Sequence, residues 1–325
     1  MRYVIYGAGA IGASIGGRLF EVGCDVVLLA RGAHYDAMRA NGGLRLADPE
    51  RTRVLDIPVA DRPAAVDWRD GDVCVLAMKT QDTAGALADL AAAAPPSIAV
   101  VCAQNGVENE RMALRRFPRV YGMCVILASA HLEPGAVEYY YLPMPGLLDV
   151  GCYPSGVDTT ADTMAADLRA AGFGSNAEPD IMRWKYGKLL SNLGNALDAA
   201  AGMAARRTDL GARAQQEGVD CLTAAGIEFA SMDENRAKHG VDRFESRPVE
   251  GRAHPGSSSW QSLARGTGAI EADYLNGEIV LLGRQLGIPT PVNALLQHIA
   301  NDMARNGTKP ETLTVESVLA QLPAG

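Results

Sequence analysis

Residues 2–22 read "RYVIYGAGAIGASIGGRLFEV", and the reading of this stretch decides the fold. "RYVIY" is a short apolar run of strand character, and the sequence from Ala10 to Val22 reads as a helix. Between them Gly7, Gly9 and Gly12 are spaced as G-x-G-x-x-G. The pattern says little alone, but between a strand and a helix it points to a bound dinucleotide. Gly7 permits the tight turn, Gly9 lets the backbone approach a pyrophosphate, and Gly12 lets helix and strand pack closely. The helix N-terminus adds amides and partial positive charge. Gly7, Ala8, Gly9, Ala10, Ile11 and Gly12 are therefore cofactor-binding candidates. A glycine turn with a purely structural role is the competing reading.

Outward from this stretch, strands and helices alternate. "DVVLLA" follows as a second strand and "AHYDAMRAN" as a helix. "DVCVLAM" (72–78), "SIAVVCA" (97–103) and "VYGMCVILASA" (120–130) are further buried strands, with helices over 82–94 and "VENERMALRRF" between them. Such alternation means a parallel sheet with helices on both faces. From 133 to 153 the pattern predicts antiparallel strands joined by a Pro/Gly turn, followed by a helix over 159–171 and an extended "FGSNAEP". After Pro179 the chain reads as almost all helix, over 181–204, 207–230, 259–287, 291–306 and 311–321, with 231–258 as a long loop. The expected fold is an α/β Rossmann-type doubly wound domain over 1–179 followed by an all-α domain over 180–325.

Three loops after strand ends carry polar groups. In an open parallel sheet, ligands bind outside the carboxyl ends of the strands. The second strand ends in "LLARG", so Arg31 stands where an NAD-binding unit would place an acid for the ribose 2′-hydroxyl. A guanidinium suits a 2′-phosphate, which favours NADPH over NADH; a solvated loop charge is the alternative. "MKTQDT" places Lys79 after the third buried strand, and "CAQNGVEN" places Gln104, Asn105 and Gly106 after the fourth. Asn-Gly is also a common turn dipeptide.

The rest of the composition narrows the class. The chain has 325 residues, 48% of them hydrophobic, enough for two domains with real cores. A net charge of -8 argues against a nucleic-acid partner, which would need a basic patch. The six cysteines are scattered without a CxxC pair and read as free thiols of a reducing compartment. The five histidines show no metal-ligand spacing, so no metal site is expected. The longest apolar runs are too short to span a membrane, and charged Arg2 leads directly into a strand. The expectation is a cytoplasmic protein without a signal peptide, acting on a small molecule, for which a homodimer is an open option.

"GKLLSNLGNALDAA" (187–200) is largely apolar but carries Lys188, Asn192 and Asn195 in a polar row. On one continuous helix Asn192 lies about 40° round from Lys188, and Asn195 about 20° the other way. Such a row either faces water or lines a site.

Taken together, "GAGAIG", "MKTQDT", "QNGVEN", "KLLSN" and "SSSWQSLARGTGAIEADYLNGEIVLLGRQLGIPTPVN" resemble the ketopantoate reductases (2-dehydropantoate 2-reductases) in content and order, over nearly the whole chain. The resemblance implies a Rossmann domain, a helical domain like the C-terminal domain of 6-phosphogluconate dehydrogenase, and an active site in the cleft between them. It implies NADPH-dependent reduction of a 2-oxo acid, 2-dehydropantoate, to pantoate for pantothenate and coenzyme A synthesis. On the family pattern Lys188 is the catalytic lysine, with Lys185 second, and Glu271 of "EADYLNG" is the essential acid. Ser259, Asn192 and Asn105 contact substrate, and Lys79 borders the cofactor with Asn105. A lysine, with a reference pKa of about 10.4, is protonated at neutral pH and can serve as acid at a carbonyl oxygen. Ala196 stands where the family commonly has a second Asn; Asn195, one residue earlier and closer to Lys188 on helix geometry, is the candidate substitute, and Ser262 replaces a common Asp. These departures leave the oxo acid open: another 2-oxo acid is the alternative substrate, and a non-catalytic NADPH-binding regulator is the alternative role. For Glu271 an exposed helix acid, and for Ser259 a helix cap, are the competing readings.

Overall fold

The computed structural model describes residues 1–239, 244–266 and 268–322. The chain forms two compact units. One comprises Met1–Lys185 together with Met232–His254, and the other comprises Tyr186–Ser231 together with Pro255–Gly325.

The first unit opens with β1 (Arg2–Tyr6), α1 (Ala10–Glu21), β2 (Asp25–Leu29) and α2 (Gly32–Ala40). Three short strands follow, β3 (Leu44–Ala47), β4 (Thr52–Leu55) and β5 (Val59–Ala60). Then come β6 (Val73–Leu76), α3 (Thr83–Ala93), β7 (Ala99–Cys102), α4 (Asn109–Leu114) and β8 (Val120–Leu127). The unit continues through β9 (Ser129–Ala130), β10 (Ala136–Tyr139), β11 (Tyr141–Pro143), β12 (Gly146–Cys152) and α5 (Thr159–Ala170) into α6 (Ile181–Asn192). The second unit holds α7 (Asn195–Ala201) and α8 (Asp209–Ala224). The chain returns to the first unit for α9 (Met232–His239) and the β13 strand (Phe244–Ser246). It ends in the second with α10 (Ser258–Arg265), α11 (Asn276–Leu286), α12 (Pro291–Arg305) and α13 (Val315–Leu319).

The main sheet has the order β12-β8-β7-β6-β1-β2-β5. Its strands run parallel except β12, which lies antiparallel on β8. Both faces are covered, so the central strands are apolar at successive positions rather than alternately. Val73 and Val75 face the core shared with Ile15 and Leu19 of α1 and Met164 and Leu168 of α5. Cys74 and Leu76 face the opposite core, with Leu87 and Leu90 of α3 and Phe117. The Rossmann-type sheet followed by helices agrees with the expected fold class.

The local readings needed corrections. The strands within 133–153 do not pair with one another. Instead β10 joins β3 and β9, β11 pairs with β13, and β12 completes the main sheet. The expected loop 231–258 contains α9 and β13 and clusters with the first unit, so the units divide the chain differently from a single boundary at 179/180. Arg252 pairs with Glu138 of β10, Arg45 of β3 with Glu250, and Lys238 of α9 with Asp149 and Glu178.

Two expected long helices are interrupted. The helix over 181–204 breaks after Asn192, because Arg206 Nη2 donates to Ser191 O at 2.7 Å. That carbonyl would otherwise accept from the amide of Asn195. The helix over 259–287 stops at Gly266, whose left-handed backbone (φ 64°) closes α10 with a bond to Leu263 O.

Candidate functional site

The glycine turn forms as its spacing predicts. Gly7 has φ 100°, and a Cβ there would lie 2.6 Å from Met78 N. At Gly12 a Cβ would lie 2.3 Å from Gly7 O and 2.9 Å from Ile5 Cγ2. Both positions are closed by the protein itself. Gly9 differs: a Cβ would meet only His131 Nδ1, at 3.8 Å. The space beside Gly9 is thus open, and the first amides of α1 have no side-chain cap. The main chain of Gly7 and Ala8 is fixed by bonds to Leu29 O at 3.1 and 3.0 Å. A dinucleotide pyrophosphate fits such a turn, with Gly7, Ala8, Gly9, Ala10, Ile11 and Gly12 as its holders.

Sheet register brings the other loops to the same edge. Tyr6 pairs with Leu29 and with Leu76, and Leu76 pairs with Cys102. The residues just beyond this row are the glycine turn, Arg31, Lys79 and Asn105. The chain winds outward from β1 in both directions, so the edge between β1 and β6 is a topological switch point. Arg31 begins α2 as its N-cap and is exposed, with its guanidinium 3.7 Å from the Asp82 carboxylate. Lys79 is the half-buried N-cap of a 3-10 turn over Thr80–Asp82. Asn105 is half-buried, and its carbonyl accepts from Asn109 Nδ2 at 3.1 Å and Thr80 Oγ1 at 3.4 Å.

One residue at this edge carried no sequence signal. His34 of α2 is buried; its Nδ1 accepts from Gly135 N at 2.8 Å, which leaves Nε2–H to donate to Ala8 O at 2.7 Å. Burial pushes its pKa below the usual histidine range, against the opposing pull of the Ala8 carbonyl. A neutral imidazole thus braces the turn, and His131 stacks obliquely on it at 4.1 Å between centroids.

The remaining candidates belong to the second unit. Lys188 and Asn192 sit on α6 four residues apart, Lys188 half-buried and Asn192 buried. The Asn192 Nδ2 group is buried and has no hydrogen-bond partner among the described residues. A buried, unpaired donor asks for a ligand acceptor or water. Asn195 does not continue this row: it is the first residue of α7 and is buried there. The continuous-helix angle given for it therefore does not apply.

Ser259 is buried on α10 and is not the cap; Ser257 caps, accepting from Trp260 N at 3.2 Å. Glu271 is buried at the start of a 3-10 turn over Glu271–Tyr274, which removes the exposed-acid alternative. Tethers unseen in the sequence hold these elements. Asp198 of α7 accepts from Ser257 N at 3.0 Å, fixing the start of α10. Asn276, just after the Glu271 turn, donates to Leu193 O at 2.9 Å, the carbonyl following α6. Asn293 of α12 accepts from Asn276 at 3.0 Å and bonds Glu217 of α8 in turn. The stretches carrying Lys188, Asn192, Ser259 and Glu271 are thereby linked within one unit.

Lys185, the second-ranked lysine, belongs to the first unit and is buried against Glu110 at 2.5 Å. Burial pushes the Glu110 carboxyl up, and the Lys185 ammonium pulls the other way.

Comparison with known proteins places the chain. Residues 3–155 match the family model described as "Ketopantoate reductase PanE/ApbA", and residues 180–304 match "Ketopantoate reductase PanE/ApbA C terminal". The 2-dehydropantoate 2-reductase of Halobacterium salinarum is 28% identical over 94% of this chain and 100% of its own. That of Pyrococcus horikoshii is 26% identical over 91% and 95%. Among solved structures, a PanE/ApbA family ketopantoate reductase from Ralstonia eutropha JMP134 is 28% identical, covering 94% of this chain and 99% of its own, with a TM-score of 0.78. D-mandelate dehydrogenase with NADH and anilino(oxo)acetate shares the fold at 20% identity and a TM-score of 0.79, over 94% of this chain and 99% of its own. The family models span both the glycine turn and the Lys188 and Glu271 stretches, and the chain belongs to the ketopantoate reductase family, oxidoreductases acting on CH–OH groups.

Proposed function

We propose that the protein catalyses the NADPH-dependent reduction of 2-dehydropantoate to pantoate, on the way to pantothenate and coenzyme A. The observation that carries this reading is the match of both halves to the ketopantoate reductase models, extending over Lys188, Asn192, Ser259 and Glu271. When bound, the reduced nicotinamide supplies a hydride to the carbonyl carbon. Lys188 Nζ donates the proton to the carbonyl oxygen and stabilises the negative charge developing there. Asn192 offers its unpaired Nδ2–H to the substrate carboxylate or hydroxyl, and Ser259 adds a second neutral donor. Glu271 accepts from a substrate hydroxyl and orients Lys188. Asn105 positions the nicotinamide amide or the lysine, Lys79 borders the cofactor, and Arg31 binds the 2′-phosphate. The reading includes a cytoplasmic enzyme, and light scattering tests for a homodimer.

The test is NADPH oxidation measured with and without 2-dehydropantoate. Turnover on 2-dehydropantoate supports the reading. No turnover on it, with turnover on another 2-oxo acid, favours a second one: a reductase of a different 2-oxo acid. Ala196 and Ser262, where the family commonly has Asn and Asp, motivate that second reading, as does the fold shared with D-mandelate dehydrogenase. Tight NADPH binding with no oxo acid reduced would instead indicate a non-catalytic regulator.

A further inference from the structure

The ion pair of Lys185 and Glu110 is buried on both sides, with 3% and 0% of the side chains exposed. Desolvating two charges inside a domain is costly, and an apolar pair of similar volume would fold as well or better. Geometry suggests what the pair provides. Lys185 Nζ donates to Cys102 O at 3.2 Å and to Gln104 O at 3.1 Å, and lies 2.5 Å from Glu110 Oε1. Two of its protons thus go to main-chain carbonyls, and the Glu110 carboxylate lies beside it as counter-charge. Cys102 is the last residue of β7, and Glu110 lies in the first turn of α4. One ammonium thus binds both ends of the loop that carries Asn105.

The rest of the loop is fixed from the neighbouring loop after β6. Gln104 Nε2 donates to Thr83 Oγ1 at 3.0 Å, and Thr83 Oγ1 to Asn109 Oδ1 at 2.7 Å. Asn109 Nδ2 then holds the Asn105 carbonyl at 3.1 Å and bonds Thr80 Oγ1 at 3.2 Å. Gly122 of β8 borders the pair: a Cβ there would lie 3.4 Å from both Glu110 Oε1 and Lys185 Cδ.

We infer that Lys185 and Glu110 are positioning residues, a buried ion pair that sets the main-chain path on both sides of Asn105 and so aims its side chain. The inference rests on the proposed role of Asn105. It also gives Lys185 of α6 a task other than proton donation, that of holding a loop.

The experiment compares wild type, Lys185→Met/Glu110→Met, Asn105→Ala and the triple variant, by thermal unfolding and steady-state kinetics. Replacing both charges by methionine avoids an unpaired buried charge. The expected result is a double variant that unfolds near the wild-type temperature yet turns over at least about tenfold slower. In that background Asn105→Ala costs much less than in wild type, because a misaimed side chain has little left to lose. Wild-type-like turnover in the double variant, or the same fractional loss from Asn105→Ala in both backgrounds, overturns the inference. If Asn105→Ala leaves wild-type turnover intact, the reading of Asn105 itself has failed and this inference falls with it. Should the double variant not fold, Glu110→Asp, which keeps both charges and withdraws the carboxylate by one methylene, is read in the same way.

Discussion

Lys188 is half-buried on α6, one helical turn after the buried Lys185. General acid catalysis by a positioned side chain contributes about 10²–10⁴-fold. Lys188→Ala is therefore expected to lower kcat by about that factor while NADPH still binds, which fluorescence titration would show. Near-normal turnover would remove Lys188 from the mechanism. Arg31 is exposed and only loosely paired with Asp82 at 3.7 Å, so its guanidinium can turn to a phosphate at little cost. A charge-assisted hydrogen bond is worth roughly 1.5–3 kcal/mol. Arg31→Ala should thus weaken NADPH by about ten- to a hundredfold and NADH far less. Equal weakening of both would undo the 2′-phosphate argument.

Among the elements, the glycine turn separates folding from binding. Gly12→Ala places a Cβ 2.3 Å from Gly7 O, an overlap the backbone must relieve. It should lower thermal stability, since overpacking typically costs about 1–3 kcal/mol. Gly9→Ala meets nothing closer than 3.8 Å and should melt like wild type, yet weaken NADPH by about tenfold or more, roughly 1.4 kcal/mol. Wild-type affinity in Gly9→Ala would show that no pyrophosphate passes there. This turn was readable in the sequence because its requirements are local: a strand, three spaced glycines and a helix. The strands around Val73–Leu76 and Ala99–Cys102 were readable for the same reason, being buried on both faces. What the sequence hid was non-local. The end of α6 depends on Arg206 reaching back to Ser191, and β11 pairs with a strand about a hundred residues later in the chain. Among the candidate site residues, Lys188, Glu271 and Asn105 were singled out by motifs. His34, Asp198 and Asn276 act through partners distant in sequence; Asn276 falls within "EADYLNG", but nothing local shows what it binds.

At the scale of the molecule, acid sensitivity follows from a cluster joining α1 to β4. Glu21 of α1 bonds Arg53 of β4 at 2.6 and 3.0 Å, and Arg53 also pairs with Asp48. Burial alone would push the Glu21 carboxyl up, but Arg53, with Arg18 and Arg51, holds it below the usual range. Asp48 is likewise held low, with burial outweighed by Tyr139, two backbone amides and Arg53. A carboxylate depressed in the folded state adds stability that is full above its unfolded pKa and is lost as pH falls through the folded one. The melting temperature should therefore hold between about pH 7 and 5 and fall below about pH 4, where ordinary carboxylates titrate. Glu21→Gln should melt lower at neutral pH and respond less to acid; an unchanged acid slope would exclude this cluster as a cause. Among the described residues, no helix is long and apolar enough to cross a membrane.

The excursion of residues Met232–His254 back into the first unit bears on how such enzymes can be recombined. A chimera spliced once after Lys185 would give the β11 edge to one parent and its β13 partner to the other. A nascent chain likewise lacks that partner until residue 246 has been synthesised. A nucleotide-binding half exchanged between relatives must therefore be moved as two pieces of coding sequence, with the helical segment 186–231 left in place between them.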